Sequence, residues 1–225
     1  YMENFYLYIF ILISFVCLVS YYNTYMATHM EAFTAKPQTF ILLGDSILKN
    51  DAYVSDGKSV DDLLKERTNG ASICLAVDHS KIVDIYSQLE KLPAEMDSSS
   101  TTIFLSAGGN DILTYYVDQG NTATDTSILG PMFSAYKKLV KHIHTILPKA
   151  NLVLLDIYYP ENLSYTQYHP VLKEWNGLVY KYASKNDYSV LKISKVLTKT
   201  EDFSFGIEPS ATGGRKIVDT IISSY

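Results

Sequence analysis

Residues 39–46 read Thr-Phe-Ile-Leu-Leu-Gly-Asp-Ser, a short apolar run that stops at a glycine and delivers a serine. A run of this length without polar alternation reads as a β-strand covered on both faces, the pattern of a parallel sheet. Gly44 lets the chain turn sharply, so Ser46 stands at the strand exit, close to the N-terminus of whatever helix follows. Substrate can approach a serine there, and nearby backbone N–H groups can stabilise an oxyanion. Taken alone, a Gly-Asp-Ser triplet is most often only a turn.

Working outward, the same kind of run recurs at Ile73–Val77, Thr102–Leu105, Asn151–Ile157 and Ser189–Ile193. Helical spacing separates the runs, over Ser59–Glu66, Ile82–Leu92, Ile128–Leu147, Val171–Ala183 and finally Gly213–Ser223. The third of these is interrupted early by Gly130 and Pro131. Alternating β and α units imply an α/β fold, a three-layer, doubly wound sheet of five parallel strands. Such sheets bind ligands outside the carboxyl ends of their strands. The loops to search are therefore 44–50, 77–81, 106–116, 157–170 and the segment 201–210 before the last helix.

The loop after the third strand reads Gly108-Gly109-Asn110-Asp111. An asparagine there can donate its amide hydrogens toward an oxyanion, although in isolation an Asx-turn capping the next helix is the better explanation. The two loops together, in order, at sheet ends and 64 residues apart, form a far more specific signal than either alone.

On these residues the chain resembles the SGNH (GDSL-type) hydrolases over about 188 residues, from 38 to 225. The resemblance implies a flavodoxin-like sheet and carboxylic-ester hydrolysis. Ser46 matches the family's nucleophile, while Gly108, Asn110 and Asp111 match its third block, with Asn110 as oxyanion donor. Gly213-Gly214 and the apolar helix after them resemble its C-terminal end. Two departures stand out. His79, in Leu75-Ala76-Val77-Asp78-His79, occupies the place of the second-block glycine, where its backbone N–H remains available as a donor. At the C-terminal block, where the family reads Asp-x-x-His-Pro-Ser, this chain reads Phe205-Gly206-Ile207-Glu208-Pro209-Ser210. Glu208 stands at the general-base position and Phe205 at that of its orienting carboxylate.

Serine is a poor nucleophile without a base in hydrogen-bond reach. Glu208 can serve if burial raises its proton affinity, with Phe205 and Ile207 as its apolar setting. His79 is a second candidate and His169, in the aromatic loop after the fourth strand, a third. Tyr158, Tyr159 and Tyr168 of that loop can line an acyl pocket. If no base reaches Ser46, the domain is a catalytically weak relative that binds an acylated or glycan ligand. A purely structural interaction module is the remaining reading. Asp202 lies six residues before Glu208 rather than three, so it is not the family's orienting acid without an altered loop. His142 and His144 fall inside a helical stretch and read as surface residues. The five histidines form no metal-type cluster, and neither metal nor cofactor is expected.

The remainder of the chain bounds these readings. It has 225 residues and a net charge of −5, and no cluster of Lys or Arg is expected to offer a phosphate-tracking surface, which argues against nucleic acid as a partner. Cys17 and Cys74 read as small buried hydrophobes. Phe5 to Tyr22 is an 18-residue run broken only by Ser14 and Ser20, about long enough to span a membrane. Residues 1–23 therefore read as a transmembrane or signal-anchor segment, with a cleaved signal peptide as the competitor, and 24–37 as a linker. The expected location is membrane-anchored, or secreted if the segment is cleaved. The expected partners are a small ester or acylated substrate and, through the N-terminal helix, the membrane.

Overall fold

The computed structural model describes residues 13–26, 38–118, 120 and 125–225. The chain divides into two compact units, Tyr1–Pro37 and Gln38–Tyr225. The anchor expected over residues 1–23 falls partly on residues 1–12, outside the described residues. Residues 13–26 are helical. Among the described residues no helix is long and apolar enough to cross a membrane, so the anchor finds no support there.

The second unit is a five-stranded, all-parallel sheet with strand order β2-β1-β3-β4-β5. Its strands are β1 (Thr39–Leu43), β2 (Ser72–Cys74), β3 (Thr101–Leu105), β4 (Asn151–Leu155) and β5 (Ser189–Leu191). Between them run α1 (Val60–Arg67), α2 (Ile85–Leu89), α3 (Gly109–Leu113), α4 (Leu129–Ile146), α5 (Leu163–Thr166) and α6 (His169–Lys185). After β5 come α7 (Ile193–Val196), a small antiparallel hairpin of β6 (Phe203–Ser204) and β7 (Glu208–Pro209), and α8 (Ala211–Ser224).

Period-two side-chain alternation sorts the sheet into two cores. Ile41, Leu43, Ile103, Leu105 and Leu154 face α2, α4 and α6. Phe40, Leu42, Phe104, Val153 and Leu155 face α1 and α8. Helix α4 buries Leu129, Phe133, Tyr136, Val140 and Ile143, a stripe at alternating spacings of four and three that matches the helical repeat. Full burial of such a side chain stabilises the fold by about 1.5–3 kcal/mol as an upper bound. Gly130 and Pro131 do not interrupt α4. Pro131 lies in the first turn, where its missing N–H would have had no intrahelical partner. Helix α1 starts at a capping box in which Asp62 N donates to Ser59 Oγ and Ser59 N to Asp62 Oδ2.

Three elements are shorter than the sequence pattern implies. The second strand ends at Cys74 because Leu75 and Ala76 N–H groups both turn onto the Leu42 carbonyl. The second helix spans only Ile85–Leu89, and β5 stops at Leu191.

Candidate active site

The first and third of the strand-exit loops, those leaving β1 and β3, are each held by a glycine whose replacement would force a clash. A Cβ on Gly44 would lie 2.1 Å from the Ser106 carbonyl oxygen, and one on Gly108 2.2 Å from the Trp175 ring; both have positive φ. Gln88, fully buried, clamps Gly44 from both sides. It accepts the Gly44 N–H and donates to the Gly44 carbonyl, each at 2.8 Å, and donates to Ser80 Oγ at 3.1 Å. Asp45 turns inward, where its Oδ1 accepts from Ser106 Oγ at 2.7 Å and from the Ile47 N–H at 3.2 Å. Leu48 N and Lys49 N close a single turn on the Asp45 carbonyl, placing Ser46 at its start.

Ser46, Asn110 and Glu208 line one cleft at the carboxyl ends of the strands. It encloses about 610 Å³ of empty space, part of it open to solvent, and its walls are mainly apolar and aromatic. Ile112, Tyr116, Tyr158, Tyr165, Tyr168 and Leu172 form much of the lining, and no Lys, Arg or His takes part. Asn110 donates one amide hydrogen to the Ser80 carbonyl at 3.0 Å, which orients its side chain. Asp111 accepts from Ile82 N at 3.0 Å and so ties the third loop to the second.

Glu208 is 8% exposed. Burial pushes its carboxyl above the ordinary value, hydrogen bonding to the Ser46 hydroxyl pulls it back, and the negative charges of Asp78 and Asp45 push it up again. Its Oε2 is buried with no hydrogen-bond partner. The Ser46 hydroxyl thus lies near enough to influence the acid, while one carboxylate oxygen stays unengaged. The backbone on either side is pinned: Tyr158 OH donates to the Ile207 carbonyl, and Asn50 Nδ2 to the Pro209 carbonyl at 2.9 Å. Asn50 Oδ1 in turn accepts from Val60 N at 2.8 Å, so one buried side chain ties the loop after Ser46 to the strand that carries Glu208. Ser210 caps α8, accepting from Thr212 N and Gly213 N. Asp45 is likewise buried, and desolvation raises its pKa from 3.8 to about 6 against the opposing bonds from Ser106 and Ile47.

The remaining sequence candidates sit elsewhere. The His79 side chain is 79% exposed, with Nε2 3.6 Å from Asp78 Oδ2, and it does not line the cleft. Its backbone has φ 59°, the left-handed conformation natural to the glycine it replaces. The His79 N–H, expected as an oxyanion donor, instead donates to Asp78 Oδ1 at 2.8 Å. Asp78 also accepts from Tyr53 OH at 2.7 Å. His169 opens α6, where its Nε2 meets the Pro160 carbonyl at 2.7 Å and its ring packs edge-on against Tyr159. It does not reach over the sheet end, and Tyr159 is likewise absent from the cleft wall. Phe205 does not stand behind Glu208. It lies 81% exposed at the hairpin tip with φ 49°, its ring 5.9 Å from that of Tyr53. Asp202 does not line the cleft. Burial alone would raise its pKa, but Lys216 at 2.6 Å and the N–H groups of Thr198 and Lys199 hold it below the ordinary value. Among the described residues no cluster of His, Cys, Asp or Glu could hold a metal ion.

Four contributors escaped sequence reading: Gln88, Ser106, Asn50 and Tyr116. Asn50 lies inside the searched first loop and Ser106 and Tyr116 at the two ends of the searched third, but nothing local marked their roles, and Gln88 lies outside every searched loop.

Neither a protein-family model nor a curated protein matches the chain. Solved structures do. A lipase from a goat rumen metagenome superposes with TM-score 0.66 at 17% identity, covering 83% of this chain and 96% of its own. A member of the lipolytic G-D-S-L family from Veillonella parvula gives 0.61 at 19%, covering 84% and 98%. A psychrotrophic esterase from Pseudoalteromonas gives 0.61 at 17%, covering 83% and 96%. The parallel five-stranded sheet and its flanking helices are therefore those of the SGNH, or GDSL-type, hydrolase fold.

Proposed function

We propose that the domain is a serine carboxylic-ester hydrolase of the SGNH family in which Glu208 replaces histidine as the general base. The single observation that carries this reading is the convergence of Ser46, Asn110 and an unpartnered buried oxygen of Glu208 on one cleft. The lipase and esterase titles of the fold neighbours support the reaction class.

In the proposed reaction the ionised Glu208 takes the Ser46 proton as Oγ attacks the ester carbonyl. The oxyanion is held by the backbone N–H of Ser46 and the second amide hydrogen of Asn110. Protonated Glu208 then gives its proton to the departing alkoxide, leaving an acyl-Ser46 ester. Water attacks that ester, losing its proton to Glu208. As the acyl–Oγ bond breaks, Glu208 returns the proton to Ser46 Oγ, releasing the acid and restoring the ionised base. A carboxylate suits the role only if its proton affinity is raised, and burial beside two other acids supplies that. The cleft walls favour an uncharged acyl group, since they carry Asp45 and Glu208 but no cation.

The test is fluorophosphonate labelling and hydrolysis of short-chain acyl esters by the wild type, Ser46→Ala and Glu208→Gln. Turnover that survives Ser46→Ala ends the proposal. Labelling of Ser46 without turnover favours the second reading, a domain that binds an acylated or glycan ligand, for which the missing imidazole is the specific argument.

A further inference from the structure

Helices α4 and α6 assemble a basic surface, counter to the expectation that no cluster of Lys or Arg offers one: Lys137, Lys138 and Lys141 already stand close in sequence, and α6 adds the rest. One groove between them is lined by Lys137, Lys138, Lys141, His144, Tyr182 and Asn186, and an adjoining groove adds Lys181 and Lys185. Helix α4 carries no acid, and the one acid of α6, Glu174, lies two turns nearer the cleft end. All five lysines are exposed, and among the described residues none of them makes an ion pair. Lys137 instead holds its ammonium 5.9 Å from the centre of the Phe133 ring. In a chain of net charge −5, five unpaired lysines on one face are a marked segregation of charge.

We propose that this face docks the domain on an anionic phospholipid surface. Two features favour headgroups over a nucleic acid. The patch contains lysines and no arginine, so it offers point charges suited to a diffuse field rather than the planar forks that grip single phosphates. The groove walls also hold Tyr182 and Tyr188, whose rings lie 6.1 Å apart, beside Leu178 and Phe133. Amphipathic rings of this kind concentrate at headgroup level. The surface draws on no residue before 38. Its C-terminal part lies at the edge where α4 and α6 end and β4 and β5 begin. The cleft opens at the opposite ends of the strands, so a docked domain presents Ser46 to the aqueous phase, away from the bilayer.

The experiment is sedimentation of the full chain with phosphatidylcholine vesicles, with and without added phosphatidylserine, beside the combined variant Lys137→Glu, Lys141→Glu, Lys181→Glu and Lys185→Glu. Each lysine at such a surface strengthens binding about fivefold, so the variant should lose at least about a hundredfold of the phosphatidylserine-dependent affinity. High salt should do the same to the wild type. These residues are exposed and remote from the cleft, so circular dichroism and fluorophosphonate labelling should be unchanged in the variant. The proposal is overturned if phosphatidylserine does not strengthen binding, or if the variant keeps that preference. It is also overturned if duplex DNA binds as tightly with the same lysine dependence. The readout is binding, so failure of the esterase reading would leave this result intact.

Discussion

The loops leaving β1 and β3 and the hairpin before α8 meet at one cleft, but they are built on opposite terms. The first two are held by contacts that admit no alternative: Gly44 against Ser106, Gly108 against Trp175, and Gln88 bonded to both backbone atoms of Gly44. The hairpin is held by its backbone, through Tyr158 and Asn50, while its side chains depart from the family pattern. Oxyanion donors depend on main-chain placement, which tolerates little change. A base depends on one side chain, which can be exchanged if the site supplies the right proton affinity. On the proposed reading, that exchange puts the carboxyl of Glu208, one oxygen of which is buried and unpartnered, in the place of an imidazole.

The sharpest way to break that contrast is Glu208→Gln. The variant keeps size and polarity but cannot take a proton, so kcat/KM should fall about 10³-fold, equivalent to about 4 kcal/mol. Glu208 must be ionised to act, and its pKa is raised above 4.5. Wild-type activity should therefore rise with pH through a midpoint above that value, be lost as pH falls below it, and show no such limb in the variant. Stability moves the other way, because a buried acid with raised pKa disfavours the fold once ionised. The thermal midpoint of Glu208→Gln at neutral pH should exceed that of the wild type. A drop in both activity and thermal midpoint would mean that the carboxylate is structural.

On the stiff side of the cleft, Asp45→Asn isolates the cost of a buried charge. The folded pKa is about 6 and the ordinary value 3.8, so the folded state holds the proton more tightly. The unfavourable contribution grows as pH rises from about 3.8 through 6 and reaches about 3 kcal/mol above that. Asparagine can still accept from Ser106 and Ile47. Urea unfolding should find the variant more stable at pH 7 by up to that amount and nearly equal at pH 4. A difference independent of pH would show that Asp45 is not desolvated as described. Asn110→Ala follows at about 10²-fold in kcat, or about 2.7 kcal/mol, with KM little changed, because an oxyanion donor acts mainly in the transition state.

Much of the fold was legible because its signals are local. Strand β1 runs over Thr39–Leu43 as its pattern reads, and β3 and the long helices lie within two residues of their apolar spacing. The blocks around Ser46 and Asn110 were legible because their glycines answer to backbone geometry. Less legible was anything defined by distant partners. Gln88 reads as one polar residue on a helix and becomes a clamp only when β1 passes beside it. Asp45 reads as part of a turn motif, and its burial depends on Ser106, 61 residues away. The aromatic run after Asn110 reads as loop, yet Gly109–Leu113 is helical and continues into a wider turn over Thr114–Asp118, which carries Tyr116 into the cleft wall. The lysine face is the same lesson on the surface, because its two halves lie on different helices.

The smallest expected effect lies at His79, where the two construction principles overlap. Its backbone keeps the left-handed conformation of the glycine it replaces, while its imidazole points to solvent beside Asp78. A non-glycine residue held there costs about 1–2 kcal/mol, and glycine returns roughly 0.5–1 kcal/mol of that through its freer unfolded chain. His79→Gly should thus raise stability by about 0.5–1 kcal/mol and leave the rate and its acid limb unchanged. The contact it removes is an exposed imidazole–carboxylate pair, of the kind that contributes little. A rate loss with a displaced pH limb would instead make the imidazole the proton acceptor and swing it into the cleft during turnover. Glu208 would then be the group that positions it, and the hairpin would be a modified acid–histidine arrangement rather than a carboxylate acting alone.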